Sequence, residues 1–160
     1  MKTQVFAASI AALLGTTSLA HAVEISEVDV SADLTTIEDA RAAEFWTTLE
    51  TDLESAVLSR IAERISEDGA RLVLNIESFA LNDAPESGFT IDSAALIGRV
   101  HVIDLNNNAN FDSYELSVSL QGMSVTDESG APILVADMPE DLAYRTLVDA
   151  FADHVAERLD

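Results

Sequence analysis

The chain contains no cysteine, and its single lysine is Lys2. Without cysteine no disulfide can brace the fold, so stability must come from a core alone or from a core plus bound ions. A lipid-modified N-terminal cysteine is also excluded, which points to a domain with no lipid anchor. Beyond Lys2 the only cations are arginines, set against 29 acidic residues and a formal net charge of −21. Such a surface repels a phosphate backbone and gains nothing from anionic lipid, so nucleic acid is not an expected partner. It attracts cations or basic partners, and it suits a salty exterior, where screening over about 8 Å or less quiets self-repulsion.

Long hydrophobic runs are missing too. The apolar run Val5 to Leu14 is too short to span a bilayer, which takes about 20 residues, and the rest of the chain offers no membrane span. Its flanks give the run another meaning. Met1-Lys2 supplies a positive start, Gly15-Thr16-Thr17-Ser18 relaxes the helix, and Ala20-His21-Ala22 offers the small-x-small pair a signal peptidase requires. Residues 1–22 therefore read as a signal peptide, cleaved between Ala22 and Val23, and the destination as periplasmic or secreted. A buried N-terminal helix is the alternative, disfavoured because the run lacks a polar face of period 3.6. Residues 23–160 then form a single acidic domain of ordinary size. It is one unit more negative than the whole chain, since Lys2 leaves while all 29 acids stay.

Catalytic signatures are equally scarce. There is no G-x-S-x-G, no S-x-x-K and no glycine-rich phosphate loop. His101 and His154 are the only histidines after the leader, so a zinc or copper site would have to draw its other ligands from carboxylates. Carboxylate pairs such as Asp137 with Glu140, or Glu50 with Glu54, follow from the acidic composition. Phe45 and Trp46 read as core residues. These residues support no catalytic assignment, and apart from calcium no cofactor is expected.

What the chain does have is periodicity. Val23 to Val30 alternates, though unevenly, as a first strand. From Ile37 to about Glu67 the apolar residues Leu49, Leu53, Val57, Ile61 and Ile65 keep helical spacing. Thr36 with Asp39 resembles a capping box, and Asp68-Gly69 marks the expected end. Ala70 to Leu81, Ala94 to Leu105 and Tyr114 to Val125 read as strands, with a polar loop over 82–93 and a hairpin joining the last two. A short extended segment is expected at Ile133 to Ala136. Pro139-Glu140-Asp141 opens a last helix striped by Leu142, Leu147, Phe151, Val155 and Leu159. The order β-α-β-β-β-α predicts an α+β two-layer sandwich with a mainly antiparallel sheet. A long N-terminal helix and a C-terminal helix would pack on one face.

One segment carries metal chemistry. Asp104, Asn106, Asn108, Asn110, Asp112 and Glu115 fall at positions one, three, five, seven, nine and twelve of a twelve-residue stretch. The pattern resembles an EF-hand-type calcium loop, in which alternate oxygens and a bidentate final Glu converge on the ion. It departs from that family at the sixth position, where Ala109 replaces glycine, and at Phe111, and no helices flank it. A plain hairpin competes with this reading. Tyr114, Leu116, Val118 and Leu120 form one apolar face and Val100 and Val102 the matching one, so cross-strand partners must sum to an even number. Glu115 then lies opposite His101 or Ile103, on a solvated face with Arg99, His101 and Ser117, and Asn106, Asn107 and Asn108 are turn residues. A strand beginning only at Leu116 would free Glu115 to fold back on a metal.

In architecture the chain resembles small exported α+β domains of the Gram-negative cell envelope. That resemblance carries no motif and transfers no functional residues. Export, the compact α+β order and the absence of a catalytic set point to a non-catalytic binding or scaffolding role, with an unidentified envelope protein as partner. A calcium-binding module built on Asp104 to Glu115 is the alternative, and a hydrolase using acidic residues a third reading.

Overall fold

The computed structural model describes residues 22–32, 42–80, 95–121, 123–126, 130, 132–133 and 138–160, with the backbone alone for 42–46 and 80. The leader through His21, Thr36 with Asp39, the 82–93 loop, Asp137 and the side chains of Phe45 and Trp46 lie outside these residues. The elements are β1 (Ile25–Ala32), α1 (Ala42–Arg60), β2 (Ala70–Ala80), β3 (Ala95–Ile103), β4 (Asp112–Ser119), β5 (Val125–Thr126), β6 (Pro132–Ile133) and α2 (Glu140–Arg158).

The first four strands form one sheet in the order β1-β2-β3-β4, and β5 pairs with β6 in a separate small hairpin. The expected mainly antiparallel sheet is more accurately mixed. β2, β3 and β4 run antiparallel in a meander, but β1 and β2 are parallel neighbours. Parallel strands need a crossover connection, and α1 supplies it. Two helices on one side of such a sheet give the α+β class.

The helices bury the stripes that their spacing announces. Leu49, Leu53 and Val57 of α1 and Leu147, Phe151 and Val155 of α2 are fully buried. The helices pack against each other, α1 against β1 and α2 against β3 and β4. Beneath them lie Ile25, Val28, Leu72, Leu74, Ile76, Leu96, Val100, Val102 and Val118. Gly98 makes room for this contact: a Cβ there would come within 2.9 Å of Ile76 Cδ1 and 3.2 Å of Phe151 Cζ.

Three departures from the predicted elements have physical causes. The α-helix stops at Arg60 rather than near Glu67, and a 3₁₀ turn at Ala62–Arg64 follows. There the chain must descend to the sheet: Ile65 bridges to Ile25, and the Ser66 N–H donates to Ile25 O at 2.9 Å. Gly69 therefore marks a crossing of backbones and not a helix cap, since a Cβ on it would meet the carbonyl carbon of Ile25 at 2.6 Å. Second, the uneven alternation of β1 is an irregularity of register between Ile25 and Glu27, which lets both Ile25 and Val28 face the core. Third, the register shifts again between Ile76 and Ser78. That extra residue turns Phe79 inward, where it is 8% exposed and meets Tyr144 edge-on with ring centroids 5.9 Å apart.

Candidate functional site

The Asn-rich connector is a compact turn tied to its own first residue. Asp104 Oδ1 accepts from the backbone N–H of Asn106 at 2.8 Å and of Asn107 at 2.9 Å. Asp104 Oδ2 accepts from Asn110 Nδ2 at 2.7 Å. These bonds, the Asn110 side chain first and the two backbone donors after it, favour the ionised carboxylate and hold Asp104 below its ordinary range. The Asn107 side chain accepts from the Ala109 N–H, which starts a 3₁₀ turn over Asn108–Asn110. Asn106 reaches Asp68 O through its side chain at 3.4 Å, and Asn108 is exposed.

The remaining members of the calcium pattern lie on β4. The strand starts at Asp112, two residues before the expected Tyr114, so Glu115 sits within the ladder. Asp112 accepts from Arg158 Nε at 3.2 Å. The predicted parity holds, but Glu115 is paired with Arg99, two residues along from the expected His101 and four from Ile103. The side chains choose other partners: Arg99 binds Glu77 at 3.0 Å and His101 Nδ1 meets Ser113 Oγ at 2.9 Å. The structure thus brings Asp104, Asn106 and Asn110 together and places Glu115 apart from them on the ladder. Among the described residues no group of three or more His, Asp or Glu is arranged to hold a metal ion.

The outward face of the sheet is polar. β1 and β2 present Glu27, Asp29, Arg71 and Asn75, with Arg71 paired to Glu27 at 3.3 Å and Asp29 at 2.6 Å. Ser31 Oγ donates to Asn75 Oδ1 at 2.8 Å. β3 and β4 add Arg99, His101, Ser113, Glu115 and Ser117. Val73 and Ile97 are half-buried between these groups, and no outward residue of the described strands is fully buried.

Between the helices lies a groove of about 430 Å³, lined by Asp52, Asp141, Tyr144, Arg145, Val148 and Asp149 among others. Tyr144 donates its hydroxyl to Asp52 Oδ2 at 2.6 Å. Burial first, and then the bond to Asp52, raise its phenol well above the ordinary range, so at neutral pH it is a hydrogen-bond donor and not a base. This contact joins residues far apart in sequence, and no local signal announces it. Nor does one announce Tyr114, which lies under the Arg158 guanidinium at 4.8 Å. Its hydroxyl is buried with no hydrogen-bond partner among the described residues, and burial pushes the phenol up to about 12. Of the other candidates, Glu50 accepts the Ala32 N–H at 2.8 Å, and His154 on α2 bonds back to Ala150 O at 2.9 Å.

The expected cleavage point lies just before β1, which begins at Ile25. Ala22 is exposed, whereas Val23 packs against the core and its N–H donates to Leu159 O at 3.1 Å, at the C-terminal end of α2.

No protein-family model and no curated protein matches the chain. Among solved structures, a DUF330 protein of Xanthomonas campestris is 13% identical, with a TM-score of 0.49 over 86% of this chain and 84% of that one. A protein assigned to the lipoproteins of Caulobacter crescentus is 16% identical, with a TM-score of 0.41 over 82% of this chain and 86% of its own. A minor lipoprotein of Acinetobacter baumannii is 12% identical, with a TM-score of 0.36 over 84% and 91% respectively. The step from missing cysteine to a domain without a lipid anchor is corrected here. Two of these three similar chains carry lipoprotein names, and a lipoprotein is held by a lipid. None of the three names a partner. No helix among the described residues is long and apolar enough to cross a membrane.

Proposed function

We propose that the chain is an exported envelope protein that acts by binding or scaffolding rather than by catalysis. The observation that carries this reading is the outward sheet face. Four strands hold an array of polar groups over a packed core, and in the described residues none of that array is fully buried. A surface of alternating charges and hydroxyls on a rigid frame suits recognition of another polar surface, because ordering it costs little on association. Export is supported by the leader pattern and by the change at the expected cleavage point, where Ala22 is exposed and Val23 packs on the core. Tyr144, held protonated against Asp52, is a donor that orients a neighbour rather than an attacking group.

The test is site-specific photo-crosslinking in a Gram-negative host, with the crosslinker at Arg99 or Glu115 on the open face and at Glu54 on α1. A discrete adduct from the sheet positions, absent from the helix position, is the expected result. Adducts equal at all three positions, or turnover in a hydrolase screen that Asp52→Asn removes, would replace this reading with another.

A further inference from the structure

We propose that the ammonium created at Val23 by leader removal docks on the C-terminal end of α2, so that processing strengthens a contact the intact chain already makes. The inference rests on the cleavage reading given above. In the intact chain Val23 carries a single backbone N–H, and that N–H already reaches Leu159 O at 3.1 Å. Leu159 is the residue that caps α2. The last carbonyls of a helix carry partial negative charge and lack partners within the helix, so a cation is favoured there over a neutral amide.

Cleavage between Ala22 and Val23 converts that one neutral donor into a charged group with three donors, at the same position. Val23 cannot drift from the site, because its side chain packs on the core and the next carbonyl, Glu24 O, accepts the Ala70 N–H at 2.8 Å. Beside it lies a space of about 250 Å³ lined by Ala22, Glu24, Asp68, Gly69, Asp104 and Asn107, among others. Ala22, which cleavage removes, forms part of the wall of this acid-lined space. Arg64 already stands at this end of α2, donating to Ala156 O at 3.3 Å and paired with Asp160, so processing adds a second cation where β1 begins and α2 ends.

Three proteins test the device: residues 23–160 with a free Val23 amine, the same protein N-acetylated, and residues 20–160. The acetylated form keeps one N–H donor and loses the charge with the other two. The longer form keeps the charge and moves it three residues away. At pH 6 the free-amine protein is expected to melt about 2–4 °C above both others. An α-amino group ordinarily titrates near pH 7.7–8.0. Docking raises this value in the folded state, so the advantage is fully present below about pH 8 and is lost as pH rises through the folded value. The Val23 amine, followed by nitrogen NMR, should titrate above the ordinary range, and the Ala20 amine of the longer form within it. Equal melting temperatures at pH 6, or a gap that persists unchanged at pH 10, would overturn the docking. Intact mass of the chain exported with its own leader tests the other premise separately. A first residue other than Val23 overturns the processing reading, and with it the device in the cell. A Val23 start with equal melting temperatures overturns the device alone.

Discussion

The two faces of the sheet are made by the same strands, residue by alternate residue, and differ in nearly every physical respect. The inward face carries Leu72, Leu74, Ile76, Leu96, Val100, Val102 and Val118 under two helices, and its interactions depend on shape. The outward face carries Arg71, Asn75, Glu77, Arg99, His101 and Glu115, and its interactions depend on charge and on water. Packing in the first is dense, so a misplaced methyl is felt. Pairing in the second is screened and adaptable. The lesson is a division of labour: the covered face holds the protein together, and the outward face adds little to that stability.

Substitutions can break or sharpen that contrast. The largest effect belongs to Phe151→Ala, which removes the fully buried ring lying over Gly98 and should cost about 3–5 kcal/mol in urea unfolding. A loss below about 1 kcal/mol would mean the covered face is not close-packed. Gly98→Val comes next, with an expected cost of about 1–3 kcal/mol, because the added carbons meet Ile76 and Phe151 at sub-contact distance. A smaller effect lies at high pH. Burial raises the Tyr114 phenol to about 12, so the unfolded chain ionises first and stability falls as pH climbs from about 10 to 12. Tyr114→Phe should flatten part of that limb in thermal melts recorded across the range, leaving the share of Tyr144. On the open face, Arg71→Ala and Arg99→Ala should each cost about 0.2–1 kcal/mol, and less in high salt. The smallest expectation concerns Glu115→Gln. Because Glu115 stands on the ladder away from the Asp104 turn, calorimetry with calcium should return the same trace for the variant and the parent. A calcium signal lost on this substitution would join the open face to a metal site.

Much of the core was legible in the chain before folding. The stripes Leu49-Leu53-Val57 and Leu147-Phe151-Val155 follow from a period of 3.6, and both proved fully buried. The parity of the β3–β4 ladder followed from matching apolar faces, and Arg99 opposite Glu115 obeys it. The bulges were not legible, because an extra residue in a strand looks like poor alternation until its partner strand is known. Phe79 shows the consequence: counted along β2 it belongs outside, yet the shift after Ile76 places it on Tyr144. The end of α1 was overestimated for a related reason. Ile61 and Ile65 continue the helical spacing, but Ile65 is taken by a bridge to Ile25. For the Asp104 to Glu115 segment, spacing along the chain suggested convergence on a point. The ladder instead extends Glu115 away from Asp104, which closes on Asn106, Asn107 and Asn110.

The opening absences keep their meaning in part. Without cysteine the described residues do share an apolar core, but anchoring could not be read from the same absence. Composition and periodicity alone determined the acidic surface, the helix stripes and the class of fold, because each depends only on residue type and local spacing. Tertiary structure decided the parallel start of the sheet, the two register shifts, the Tyr144–Asp52 bond and the meeting of Val23 with Leu159. Each of these joins residues distant along the chain, and only packing brings them within reach.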